Sequence, residues 1–215
     1  MSVKVLIVEG NAVARALLRR VVQESFSDVG DIVEAKNADE ARAALQLGAD
    51  LSVPPAPFQL ILLDLELEDA QALQLLQRLA RHPAKTVVTT LFADAEHLFP
   101  ALQRGARGYL LKEDRFEVLV EELQKIVRGQ PPLSPGIARQ LQSYFLEGGA
   151  GHGILSTPER DVLGYLCKGF NIKEIANMTG MKWSNVNDQI KSIYSRLNLY
   201  AQPAPDPAAV QRQLI

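Results

Sequence analysis

The stretch Leu60–Asp64, Leu-Ile-Leu-Leu-Asp, constrains this chain more than any other five residues. Four consecutive apolar residues leave no polar side for water, so a strand built from them is covered on both faces. Strands of that kind belong to the interior of a parallel sheet with helices above and below. The pattern recurs. Val3–Val8 is a first strand that ends against Glu9, Asp31–Ala35 is a short second one, and Thr86–Leu91 and Gly108–Leu111 are a fourth and fifth. Between them the apolar residues take helical spacing. Val13, Leu17, Leu18, Val21 and Val22 share one face of residues 12–24, opened by Asn11 as a cap. Asn37 and Glu40 have capping-box spacing and open a helix that stops near Gly48. Helices over 70–80, 94–104 and 115–128 complete the alternation, with Pro100 predicting a kink or a late start in the second of these. "LSVPPAPF" is a loop. Five strands alternating with helices predict an α/β doubly wound parallel sheet.

Bulk properties narrow the classes. Apolar residues make up 47% and charged residues 22% of the 215, an ordinary globular balance. No apolar run approaches the roughly 20 residues that span a bilayer, and the first residues lack a secretory pattern. The lone cysteine, Cys167, forms no internal disulfide. These features predict a cytoplasmic chain without membrane attachment. Residues 1–150 carry a net charge of −4 and residues 151–215 a net charge of +2, a division suited to a regulatory front and a polyanion-binding back.

The alternation ends at "GQPPLSPG". A short amphipathic helix over 137–146 leads to "EGGAGHG", read as a flexible joint. Beyond it only helices are expected. Ser156 and Glu159 cap one that runs to Lys168, a second covers 172–178, and "TGMKW" turns into a third over 184–197. Three short helices with a glycine turn before the last describe a helix-turn-helix. The boundaries expected are 1–130 for the sheet domain, 131–153 for a linker with its helix, and 154–215 for the helical domain and tail.

In an open parallel sheet, ligands gather past the carboxyl ends of the strands. Those ends carry Glu9, Asp64, Thr90 and Lys112, an arrangement suited to a phosphoryl group with Asp64 as acceptor. "LILLDLELED", "VVTTL" and "RGYLLKE" resemble, in order and spacing, the receiver domain of two-component response regulators, over essentially all of residues 1–128. The resemblance implies a flavodoxin-like fold, phosphorylation of Asp64 by a sensor kinase, phosphoryl contacts from Thr90 and Lys112, and Tyr109 as the switch aromatic. It also exposes a departure. The family has two adjacent acids after the first strand, the second usually a Mg²⁺ ligand; here Glu9 is followed by Gly10. That leaves Glu9 and Asp64 as metal ligands, and the expectation is no cofactor or weakly bound Mg²⁺, with phosphorylation weak or absent. Glu66 could restore an oxygen, or it could face water with Glu68 and Asp69, as loop charges mostly do.

"LSTPERDVLGYLCKGFNIKEIANMTGMKWSNVNDQIKSIYSRLNL" resembles the LuxR/NarL-type DNA-binding domain. Val162, Leu163, Leu166, Ile175, Ala176, Val186, Ile190, Ile193 and Leu197 read as its core. Base-edge contacts fall to Ser184, Asn185, Asn187 and Asp188, with Gln189 beside them, and phosphate contacts to Lys182, Lys191, Lys173 and Arg196. Asn and Gln suit adenine and Asp suits cytosine, but cationic charge is reduced and Asp188 repels phosphate. Trp183 is expected to pack at the turn. "YAQPAPDP" and a helix from Asp206/Pro207 depart from the usual dimer segment. The resemblance implies a transcription factor, not an enzyme, that binds double-stranded DNA as a homodimer. The alternatives are a protein–protein regulator that has lost DNA binding and sequesters a partner, and a conventional kinase-phosphorylated regulator.

Overall fold

The computed structural model describes residues 3–46, 58–68, 71–130, 134–146 and 153–200. The proline loop, Asp69, most of "EGGAGHG", and the tail with its expected helix lie outside them. Five strands, β1 (Val3–Val8), β2 (Val29–Ala35), β3 (Leu60–Asp64), β4 (Lys85–Thr90) and β5 (Gly108–Leu111), form one sheet in the order β2-β1-β3-β4-β5. Every neighbouring pair is parallel. Interleaved with them run α1 (Ala12–Ser25), α2 (Ala38–Ala44), α3 (Ala72–Leu79), α4 (Ala95–Gln103) and α5 (Phe116–Val127).

The double covering predicted from the apolar strands divides by residue parity. Val5, Ile7, Leu60, Leu62, Val87 and Leu110 pack under α1 and α5. Leu6, Val8, Ile61, Leu63 and Val88 face the opposite way, toward α2, α3 and α4. Side chains alternate faces along a strand, so a run apolar at every position is what two covers require.

Local signals set the helix starts. The Asn11 side chain accepts from the backbone N–H groups of Val13 and Ala14. Asn37 accepts from Glu40, but Glu40 returns its bond to Lys36, not to Asn37, so the capping box is displaced by one residue. The α2 helix ends at Ala44 with Leu45 as its C-cap and Gln46 in the left-handed region, and Gly48 lies outside the described residues. Asp94 caps α4 through His97, and the helix runs through Pro100 to Gln103 with its start intact.

The second half adds α6 (Pro135–Leu146), α7 (Thr157–Cys167), α8 (Ile172–Thr179) and α9 (Trp183–Tyr200). Gly180 closes α8 at φ 69°, a left-handed cap that glycine adopts without the cost of a Cβ. Glu159 accepts from the Ser156 N–H at 2.6 Å, as the cap spacing predicts. Val162, Leu163, Leu166, Ile175, Val186, Ile190, Ile193 and Leu197 are all buried and form the expected trihelical core.

The α6 helix is more than a spacer. Ile137, Ala138, Leu141 and Phe145 are buried, and α6 packs against α7 on one side and α4 on the other. Phe99 of α4 meets Tyr144 edge-on at 6.0 Å, and Tyr144 meets Phe145 at 4.9 Å. Through α6 the apolar cluster under α2–α4 continues without a break into the trihelix.

Candidate functional site

Strand register brings the chemistry together. Val8 pairs with Leu63, Asp64 with Thr89, and Thr90 with Leu111. Glu9, Asp64, Thr90 and Lys112 therefore follow one another across the carboxyl edge of four adjacent strands, beside the point where strand order reverses. At the end of β4 there are two threonines. Both are buried, and it is the Thr90 hydroxyl that bonds across the edge, to Glu66.

Lys112 is the centre of this edge. Its side chain is 11% exposed, and its ammonium lies 2.5 Å from Asp64 Oδ1, 2.9 Å from Glu9 Oε2 and 3.4 Å from Glu66 Oε2. Burial alone would lower the Lys112 pKa, but the Asp64 and Glu9 carboxylates outweigh it and raise it. For Asp64, burial raises the carboxyl pKa, with the neighbouring Glu9 charge adding to it, against the lowering by the Lys112 and Glu66 N–H bonds. Glu9 is 1% exposed. Its Oε1 accepts from Asn11 N at 2.9 Å, while Oε2 has the Lys112 ion pair without the alignment of a hydrogen bond.

That under-satisfied oxygen is the feature of the pocket that suits a cation, and Asp64 supplies the second carboxylate. Gly10 supplies no oxygen from a side chain, and a Cβ there would stand 3.3 Å from the Lys36 carbonyl. Among the described residues, no group of three His, Cys, Asp or Glu side chains is arranged to hold a metal.

Glu66 is not a solvated loop acid: it joins Glu9 and Asp64 around the Lys112 ammonium, and it also bonds to the end of β4. Its Oε1 accepts from the Thr90 hydroxyl at 2.5 Å and its Oε2 from Leu91 N at 3.2 Å. Glu68, by contrast, is exposed. Tyr109 on β5 is half-buried, and its hydroxyl interacts with the Ser134 side chain at the start of α6; burial raises its pKa.

The second group of predicted residues lies on α9. Lys182, Ser184, Asn185, Asp188 and Lys191 are exposed around its first turns, where a recognition helix reads DNA. Lys191 stands 4.0 Å from Asp188, so its charge is partly answered within the helix. Trp183 is 44% exposed instead of packed at the turn. Two assignments change in kind. Arg196 donates to Glu159 Oε1 at 2.9 Å, and Ser192 donates to the same oxygen at 2.6 Å, so this arginine braces α9 on α7. Burial pushes the Glu159 carboxyl up, but the bonds from Ser192, Arg196 and Ser156 prevail and hold it at about 2.

Asn187 is the other change. It is 5% exposed, and its Oδ1 has no hydrogen-bond partner among the described residues. Asn187 and Tyr194, seven residues apart, make a second buried stripe roughly a quarter-turn from the trihelix core stripe. The α9 helix also packs against α4, and Tyr194 lies within electrostatic range of Tyr109, which with its own burial raises the Tyr194 pKa. The receiver side of the molecule thus covers one flank of the helix predicted to enter DNA. Sequence reasoning missed this stripe because it reads as one polar and one aromatic position.

A buried carboxylate at the end of β3, a hydroxyl at the end of β4 and an ammonium after β5, on a sheet that packs through α4 and α6 onto a trihelix, have the layout of a receiver coupled to a helix-turn-helix. Comparison with known proteins gives the family. Residues 5–124 match the response regulator receiver domain, and the chain belongs to that family. It is similar to the oxygen regulatory protein NreC of Staphylococcus carnosus, 26% identical with 99% of each chain covered. It is also similar to the nitrate/nitrite response regulator protein NarP of Escherichia coli, 28% identical over 87% of each. These relatives are of the LuxR/NarL type. Among solved structures, the Salmonella typhimurium RcsB response regulator aligns over 99% of this chain and 98% of its own, at 20% identity and a TM-score of 0.52, a likeness of fold. Among the described residues, no helix is long and apolar enough to cross a membrane.

Proposed function

We propose that this chain is a cytoplasmic DNA-binding transcriptional response regulator whose receiver pocket is degenerate and responds weakly or not at all to phosphorylation. The single observation that carries the reading is the state of Lys112. Three carboxylates surround the ammonium that would otherwise meet an incoming phosphoryl group, and the position beside Glu9 carries no side-chain oxygen. Glu9 and Asp64 are the residues that would hold Mg²⁺. When bound, the ion would neutralise charge on the phosphoryl oxygens. Asp64 would act as acceptor, with Thr90 and Lys112 holding the transferred group.

For the effector, the exposed first turns of α9 support DNA binding, with Lys182 and Lys191 on phosphates and Ser184, Asn185 and Asp188 near base edges. Asn187 is withdrawn from that set as long as its stripe is covered and would join it only on α9 parting from α4. Binding as a homodimer is the mode the family's typical behaviour supports. The test is selection of bound DNA from a random pool by the full chain, followed by affinity measurement across salt. Lys182, just before α9, and Lys191 on it contribute about −2 to the log–log salt slope for each bound subunit. A selected consensus with a slope of that order supports the reading.

The burial of Asn187 and the bracing role of Arg196 favour one second reading, a regulator that acts by sequestering a protein partner. It predicts no consensus and weak, salt-insensitive binding. Stoichiometric phosphorylation of Asp64 by a sensor kinase or a small phosphodonor would instead mark a conventional regulator.

A further inference from the structure

Three donors converge beyond the ends of β4 and β5: the Thr90 hydroxyl, the Leu91 backbone N–H and the Lys112 ammonium. A hydroxyl, an amide and a cation aimed at one point constitute an oxyanion site. Glu66 fills it. Its carboxylate takes Thr90 at 2.5 Å and Leu91 at 3.2 Å, and stands 3.4 Å from Lys112. The direction of the first bond is set by the surroundings. Phe92 N donates to Thr90 Oγ1 at 3.0 Å, so the hydroxyl's single proton goes to Glu66. Only 27% of the Glu66 side chain is exposed, and its own N–H donates to Asp64 Oδ1 at 3.0 Å. The acid is therefore tethered two residues from the acceptor, at the reach that a group attached to Asp64 would have.

We infer that Glu66 is a built-in stand-in for the phosphoryl group, occupying the donors that an aspartyl phosphate on Asp64 would need. The inference rests on the reading of Asp64 as acceptor and supplies a cause for its weak response that is separate from the missing acid at position 10. An incoming phosphoryl group carries about two negative charges and would have to displace a carboxylate of like sign from all three donors. The same contacts hold the β4–α4 connection in one arrangement. Phe92, stacked on His97 at 4.6 Å, links that connection to the start of α4, and α4 packs on α9. Glu66 thus sets the state of the switch loop without a phosphodonor.

The experiment is phosphorylation of the full chain by acetyl phosphate with magnesium chloride in excess. A carboxylate oxygen of Asp64 attacks phosphorus, the phosphorus–oxygen bond to the acetyl group breaks, and acetate leaves. The product is followed by mobility shift and intact mass. Glu66→Ala removes the competitor. Glu66→Gln keeps its length without its charge and covers the case in which the alanine variant does not fold. Glu68→Ala is the control for general loss of acid, and Asp64→Asn in each background reports non-specific labelling. Losing one charge-assisted bond is worth about tenfold, so the expected result is labelling about tenfold or more faster in Glu66→Ala than in the unaltered chain, with Glu66→Gln in between and Glu68→Ala unchanged. Unaltered protein that labels slowly, with both Glu66 variants no faster, overturns this inference and leaves the weak-phosphorylation reading standing. Rapid stoichiometric labelling of the unaltered chain overturns both.

Discussion

Lys112→Met takes away one charge and little volume, and the structure allows its cost to be worked through. The ammonium now lies within 3.4 Å of three carboxylates, two of them on the buried side chains of Glu9 and Asp64. After substitution, among the described residues, Glu9 keeps Asn11 N and Asp64 keeps Glu66 N. Breaking a buried ion pair from one side typically costs about 3–5 kcal/mol, because the charges left behind remain desolvated. For a chain of this length that is roughly 6–20 °C in melting temperature at neutral pH. Burial and the Glu9 charge already raise Asp64, and Lys112 is the main group opposing them. Without it the folded carboxyl is raised further above the unfolded one than it already is, so the variant regains stability more steeply than the unaltered protein as pH falls toward the ordinary carboxylate range. Its deficit against the unaltered protein shrinks with that fall in pH. Far-UV circular dichroism melts follow the whole chain, and fluorescence of Trp183, the only tryptophan, follows α9 separately. A deficit below about 1 kcal/mol, or one constant with pH, would refute the claim that Lys112 neutralises this edge.

Three further outcomes are expected. Glu159→Gln destabilises the trihelix by about 2–3 kcal/mol at neutral pH, after allowance for solvent screening of the partly exposed Arg196. The folded carboxyl titrates at about 2 against an ordinary 4.5, so its contribution is complete above 4.5 and disappears as pH falls toward 2. Urea titrations at pH 7 and near pH 3 should show the gap narrowing. Asn187→Leu removes a buried oxygen without a partner and stabilises the packed form by about 1 kcal/mol, read as a higher melting temperature together with weaker binding to the selected DNA. Phe145→Ala opens a cavity where α6 joins the two halves and costs about 3–5 kcal/mol in denaturant unfolding; a loss under 1 kcal/mol would show α6 to be a loose tether.

Asp64, Thr90 and Lys112 were legible as neighbours in a candidate site because strand ends in a parallel sheet share one edge whatever the loops do. Gly10 was equally legible as a departure, since a residue without a side chain cannot supply a side-chain ligand in any conformation. Glu66 was not. Its role depends on a rotation that carries the carboxylate to β4, 24 residues away along the chain, and loop composition says only that such an acid is usually wet.

Periodicity decides which face of a strand or helix must be covered, because side chains repeat at 2 or 3.6 residues and water excludes apolar ones. From that came the expectation of a parallel sheet covered on both faces, with caps and a glycine turn adding the trihelix; the strand order that lines the chemical groups along one edge came with the tertiary structure. Periodicity carries no information about which polar groups find each other across the molecule. Glu159 holding Arg196 over 37 residues, Asn187 turned inward beside Tyr194, and α6 joined to both halves are settled by the packing of whole elements. Their energies depend on distance and burial, and those exist only once the chain has folded.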